Sequence, residues 1–158
     1  MSFTLYTHPQ SRGRLARWML EECGADYSVR VLHYGASMKA PEYTALNPMG
    51  KVPAIRHGDL VVTENAAICA YLADRFPAQR LAPPVDSPER GTYYRWLFFA
   101  AGPMEAAVTA RALNLLAPPE RRAATGYGSY EDVITTAEFA VRANALDDAL
   151  ARQLQSQG

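Results

Sequence analysis

Apolar and polar positions alternate from Phe3 to Thr7, a β-rich run that predicts a strand. His8-Pro9-Gln10-Ser11 breaks it, because Pro9 cannot continue a central strand. From Arg12 the period lengthens. Leu15, Trp18, Met19 and Cys23 recur at helical spacing, and Gly24 follows as a helix terminator. Tyr27 to Leu32 is a second strand, and a strand–helix–strand unit of this length implies parallel pairing. Ser37 to Leu46 reads as a short helix or irregular segment with Ser37 as its cap. Asn47-Pro48-Met49-Gly50 is a turn, and Val52 to Ile55 is a strand that opens with a proline. Gly58-Asp59 is the hairpin turn to Leu60-Val61-Val62. A helix opens at Thr63 or Glu64, with Ala67, Ile68, Tyr71, Leu72 and Phe76 as its apolar positions.

Pro77 to Pro88 is a linker by composition, with four prolines between two helical patterns. The pattern beyond it is helical throughout. Arg90 to about Ala117 forms a long helix with Trp96, Leu97, Phe99, Met104, Val108 and Leu113 as apolar positions. It bends at Gly102-Pro103 and ends at Pro118-Pro119. Another helix starts near Pro119, is interrupted around Thr125-Gly126-Tyr127-Gly128, and resumes from Tyr130 to about Gln153. The order predicts an α/β βαβαββα unit, a four-stranded mixed sheet with helices against it, followed by an all-α part.

Composition narrows the function. Nearly half of the 158 residues are apolar, enough for a packed core. The 16 basic and 16 acidic residues cancel, and the longest basic run is Arg121-Arg122, so no nucleic-acid surface is expected. No long apolar run and no secretory leader pattern stands out, which points to a cytoplasmic protein without a membrane span. Cys23 and Cys69 are too far apart in sequence for a metal-site or disulfide pattern, and His8, His33 and His57 have no ligand spacing, so no metal is expected.

Strand, proline-containing turn, arginine-rich helix with Arg17-Trp18-Met19-Leu20-Glu21-Glu22, then Asn47-Pro48-Met49-Gly50-Lys51-Val52-Pro53, then Glu64-Asn65 two residues before Ala67-Ile68: in this succession the chain resembles the glutathione S-transferases. It is most similar to bacterial members of serine type. The resemblance is close from Phe3 to Pro77 and looser from Arg90 to about Leu150. It implies an α/β thioredoxin-like glutathione-binding domain over 1–77, a linker over 78–88 and a shortened all-helical domain over 89–158. Family members continue with a Gly-Asp-Arg-Phe-Thr-type turn and a buried helix, whereas this sequence runs into a polar stretch from Ala149 to Gly158. The resemblance therefore implies a shortened or atypical helical domain. A long helix pair must bury its apolar stripe, and a homodimer is the expected way to do so.

The resemblance also implies a site. The proline matching Pro53 is cis in the family, which turns the backbone of Val52 toward the cysteinyl part of glutathione, and an X-Pro bond is the only one in which cis is inexpensive. Glu64 is expected to take the γ-glutamyl ammonium. The helix that follows it would offer free N–H groups and the positive end of its dipole to the α-carboxylate. Asn65 stands where serine is usual, and its amide can still donate to a carboxylate. Lys51 and Lys39 are candidates for the glycyl carboxylate, or solvated surface lysines.

Glutathione chemistry runs through the thiolate. Ser11, before the first helix and next to Arg12, is the first candidate to stabilise it; a helix-capping hydroxyl is its plain structural role. Arg12 is expected to assist electrostatically, and Tyr6 at the end of the first strand is the runner-up, or otherwise a core aromatic. No cysteine stands near Ser11, so the thiol-reducing classes and a Cys-x-x-Cys enzyme are not expected. Cys23 and Cys69 read as buried helix residues. The expected activity is conjugation of glutathione, as co-substrate, to a small hydrophobic electrophile. The alternatives are a non-catalytic glutathione-binding or structural dimer module, and a glutathione-dependent peroxide or disulfide reductase.

Overall fold

The computed structural model describes residues 2–115, 118–125 and 135. The helix expected from Tyr130 to Gln153 and the polar stretch after it lie outside the described residues, apart from Thr135. By contacts the chain divides into one compact unit from Met1 to Arg95 and a second from Trp96 onward.

The first unit is built on four strands: β1 (Phe3–Thr7), β2 (Tyr27–Val31), β3 (Ala54–His57) and β4 (Leu60–Thr63). They lie in the order β2-β1-β3-β4. The β1–β2 pair is parallel, as the crossover through α1 (Gly13–Glu22) requires, and β3 runs antiparallel to both β1 and β4. With α2 (Pro41–Thr44) between β2 and β3 and α3 (Asn65–Arg75) after β4, the order is the expected βαβαββα. Alternation along β1 sends Phe3, Leu5 and Thr7 to one face. There Phe3 and Leu5 join Ala16, Leu20 and Cys23 of the first helix, Ile55 of β3, and Ile68 and Leu72 of α3 in one buried cluster. Tyr6 points to the other face, where its ring lies 5.5 Å from that of Tyr43 on α2.

The helical spacing read from the sequence agrees in part with the face the fold buries: Cys23 is in the core and Met19 packs against it, but the other two positions face outward. Leu15 and Trp18 are exposed, and Gly13, Ala16 and Leu20 are buried. Small residues let the helix approach the sheet closely: a Cβ on Gly13 would collide with Thr7 Oγ1. Trp18 lies along the surface with its indole N–H donating to Glu22 Oε1 at 2.8 Å. The end of α1 is as expected. Gly24 has φ +61°, its N–H reaches Glu21 O at 2.9 Å, and the Ala25 N–H reaches Leu20 O at 3.0 Å, a Schellman closure.

Three boundaries differ from the sequence reading. Ser37 does not cap a helix, because its Oγ accepts the His33 N–H at 2.8 Å and shapes the 3-10 turn Ser37–Lys39. The third strand starts at Ala54, after the proline. The long helix ends before its prolines: α4 (Glu89–Phe99) passes through a widened π-type segment, Ala100–Met104, into α5 (Glu105–Leu113), and Asn114 at φ +54° closes it. The widened segment holds the expected interruption at Gly102-Pro103, since Pro103 has no N–H for the helical ladder. The 3-10 turn Pro119–Arg121 leads into α6 (Arg122–Thr125).

Arg90 near the start of α4 closes the first unit. Its guanidinium is buried, donates to both Asp74 oxygens at 2.8 and 2.9 Å and to Pro83 O at 2.9 Å, and lies 5.0 and 4.8 Å from the ring centres of Tyr93 and Tyr94.

Candidate functional site

Strand register brings most of the candidate residues to one end of the sheet. Ala54 pairs with Tyr6 on one side and Thr63 on the other, and Thr7 pairs with Val31. The segments leaving β1, β2 and β4 and the segment entering β3 therefore meet. They carry Ser11 and Arg12, Lys39, Glu64 and Asn65, and Lys51, Val52 and Pro53 respectively. The Val52–Pro53 bond is cis, as the motif leads one to expect, and Pro53 is buried.

Asn47 organises the approach to that bond, a role the sequence reading missed. It is one of the few buried polar residues among those described. Its Oδ1 accepts the Met49 N–H at 3.2 Å, its carbonyl accepts the Gly50 N–H at 2.8 Å, and its Nδ2 donates to Lys51 O at 2.8 Å. The Tyr43 hydroxyl donates to the same Lys51 carbonyl at 2.5 Å, and burial pushes the pKa of that hydroxyl up, keeping it a donor. Lys51 thus has its backbone fixed while its side chain is exposed. Lys39 Nζ donates to Met49 O at 3.0 Å, which ties the Ser37–Lys39 turn to the Asn47–Gly50 turn. The Asn-Pro-x-Gly run signals a turn, but only the fold reveals that the asparagine amide is buried under it.

Ser11 is half-buried at the start of α1. Its hydroxyl donates to His8 O at 2.7 Å and accepts the Gly13 N–H at 3.0 Å, so both its proton and a lone pair are engaged in the local turn. Arg12 occupies the N-cap position and is exposed. Tyr6 is separated from this group by the pleat, for Thr7 faces Gly13 while Tyr6 faces Tyr43. Burial pushes both the Cys23 and Cys69 thiols up in pKa, so neither is primed as a nucleophile.

Glu64 occupies the N-cap position of α3 with φ +68° and ψ +123°, a conformation that costs a non-glycine residue on the order of 1–3 kcal/mol. Its carbonyl accepts the Ile68 N–H at 2.9 Å, but its side chain makes no capping bond and is exposed. The first turn of α3 contains no acid. Asn65 Oδ1 is buried without a hydrogen-bond partner. The end of the sheet thus carries two lysines beside one turn, and a carboxylate with an acid-free helix N-terminus beside another.

With that geometry in place, residues 1–74 match the family described as glutathione S-transferase, N-terminal domain. The chain is 33% identical over 108 residues to glutathione S-transferase 1 of Schizosaccharomyces pombe, a match covering 63% of this chain and 46% of that protein. A glutathione transferase homologue from Sulfitobacter, solved with bound glutathione, superposes with a TM-score of 0.62 at 25% identity over 91% of this chain and 67% of its own. A glutathione transferase from Methylococcus capsulatus gives 0.70 at 27% identity over 89% and 70%. The chain therefore has a glutathione S-transferase fold, with a thioredoxin-like N-terminal domain. It spans less than half the length of the first curated relatives it matches. No helix among the described residues is long and apolar enough to cross a membrane.

Proposed function

We propose that this protein is a glutathione transferase of the bacterial serine type, a cytoplasmic homodimer that conjugates the glutathione thiolate to small hydrophobic electrophiles. Residues 1–77 form the glutathione domain, 78–88 the linker and 89–158 the helical domain. The reading is supported by the strand register, which brings to one end of the sheet the segments that carry Ser11, Lys39, Lys51, Val52, Pro53, Glu64 and Asn65. Its charges complement glutathione: lysines for the glycyl carboxylate, Glu64 for the γ-glutamyl ammonium, and the N-terminus of α3 with Asn65 for the α-carboxylate. The glutathione in the Sulfitobacter homologue, and the oxidised glutathione in a Phanerochaete chrysosporium transferase of 28% identity and TM-score 0.69, support it.

In this reading the backbone of Val52 pairs with the cysteinyl residue, and the sulfur lies near Ser11 and the start of α1. The thiol loses its proton to solvent. The thiolate, held by the Ser11 hydroxyl and the charge of Arg12, forms a bond to the electrophilic carbon as the leaving group departs with its electron pair. Ser11 must first turn its proton from the His8 carbonyl toward the sulfur.

The engagement of the Ser11 hydroxyl on both sides favours one second reading, a non-catalytic glutathione-binding module in which Ser11 only shapes the turn. Retention on immobilised glutathione together with turnover of an activated aryl halide is expected, whereas retention without turnover is the outcome of the second reading. Ser11→Ala should raise the pH midpoint of the bound thiolate's ultraviolet absorbance and lower turnover by on the order of 10- to 100-fold. A midpoint unmoved in Ser11→Ala but moved in Tyr6→Phe would transfer the role to Tyr6.

A further inference from the structure

On the α2 side of the sheet lies a cavity of about 300 Å³ that none of the lysines, Glu64 or Asn65 lines. Its floor is Tyr6 of β1 and Arg30 of β2, which are register partners and so face the same side. Leu32, Tyr43 and Leu46 wall it, and Glu42 stands at the start of α2. The lining is mainly apolar, and two of its walls are tyrosine rings with centres 5.5 Å apart. Arg30 and Glu42 form no ion pair among the described residues, although both border the same space. β2 is the edge strand and Arg30 itself is exposed, so the floor is reached from solvent.

We infer that this cavity binds a small aromatic monoanion, its ring against Tyr6, Tyr43 and Leu46 and its carboxylate on Arg30. The volume suits one or two fused rings. An unpaired guanidinium beside apolar walls selects a planar carboxylate in preference to a neutral arene. Glu42 narrows the class, because a second negative charge on the ligand would face it. The site is separate from the proposed glutathione site, and the two predict different competition.

The test uses 2-naphthoate as the probe and titration calorimetry on the intact chain. Saturable one-to-one binding is expected, unchanged by saturating glutathione. Arg30→Gln should weaken it about tenfold, the loss of one charge-assisted contact. Naphthalene-2-carboxamide should bind weaker than the acid by a similar factor. Glu42→Gln should tighten binding, a change of opposite sign that general loss of structure would not produce. Leu46→Trp, which fills the cavity, should abolish it. Absence of saturable binding, indifference to Arg30→Gln, or displacement of 2-naphthoate by glutathione would each overturn the inference. A chain that took up 2-naphthoate but not glutathione would uphold it and end the reading in the preceding subsection.

Discussion

Replacing Gly50 with alanine is expected to lower the free energy of unfolding by about 2–5 kcal/mol. Two effects add. Gly50 has φ +56°, where a Cβ costs about 1–2 kcal/mol. That Cβ would also lie 2.7 Å from the Met38 carbonyl oxygen and 2.9 Å from Lys39 Cδ. The lysine can swing away, but the carbonyl belongs to the backbone of the Ser37–Lys39 turn, so relief requires a shift of the chain that Lys39 and Met49 tie together. Gly24→Ala is the control. Its φ is +61°, yet nothing lies within 4 Å of the added Cβ, so only the conformational cost applies. Chemical denaturation of both variants separates the terms. Equal losses would show that the close approach at Gly50 carries no energy.

Glu64→Gly is expected to move stability and binding in opposite directions. Glycine adopts φ +68° without strain and recovers the larger part of the on-the-order-of 1–3 kcal/mol held there, less about 0.5–1 kcal/mol for its freer unfolded chain. The melting temperature should therefore rise slightly. Glutathione affinity should fall roughly 10- to 100-fold, because the carboxylate proposed to hold the γ-glutamyl ammonium is gone. Glu64→Gln keeps the backbone strain and loses only the charge, so it should lose affinity with no gain in stability. A Glu64→Gly variant that lost stability would remove the strain argument, and one that bound glutathione normally would remove Glu64 from the site.

What the sequence made legible is local. The β1 run, the Gly24 terminator and the Gly58-Asp59 hairpin are written in short-range chemistry, and each stands where its residues place it. Of the candidate site, the turn from Asn47 to Gly50, the cis bond at Pro53 and the helix start at Glu64 were legible, because turn and helix-start signals are short-range as well. The burial of α1 was legible at Met19 and Cys23 and misread at Leu15 and Trp18, since helical spacing offers several apolar faces and the sheet chose the one with small residues, Gly13 and Ala16. The roles of Ser37 and Asn47 were beyond sequence, because each depends on which backbone group folds back onto a side chain. The positive φ of Glu64 was hidden for a like reason: nothing in a glutamate announces a conformation that glycine would adopt more easily.

Asp74 and Arg90 stand 16 positions apart, and their ion pair turns everything between them into a closed loop. A loop clasped at its ends is insensitive to its own length: doubling the number of residues in it adds only about 0.6 kcal/mol of closure entropy. The stretch around Arg80, which is exposed and sits at φ +52°, is therefore a place where insertions, deletions and a fused peptide tag can be absorbed, provided Asp74, Arg90 and the carbonyl of Pro83 keep their partners. The freedom stops at Phe76 and Leu81, which pack against the core from within the loop.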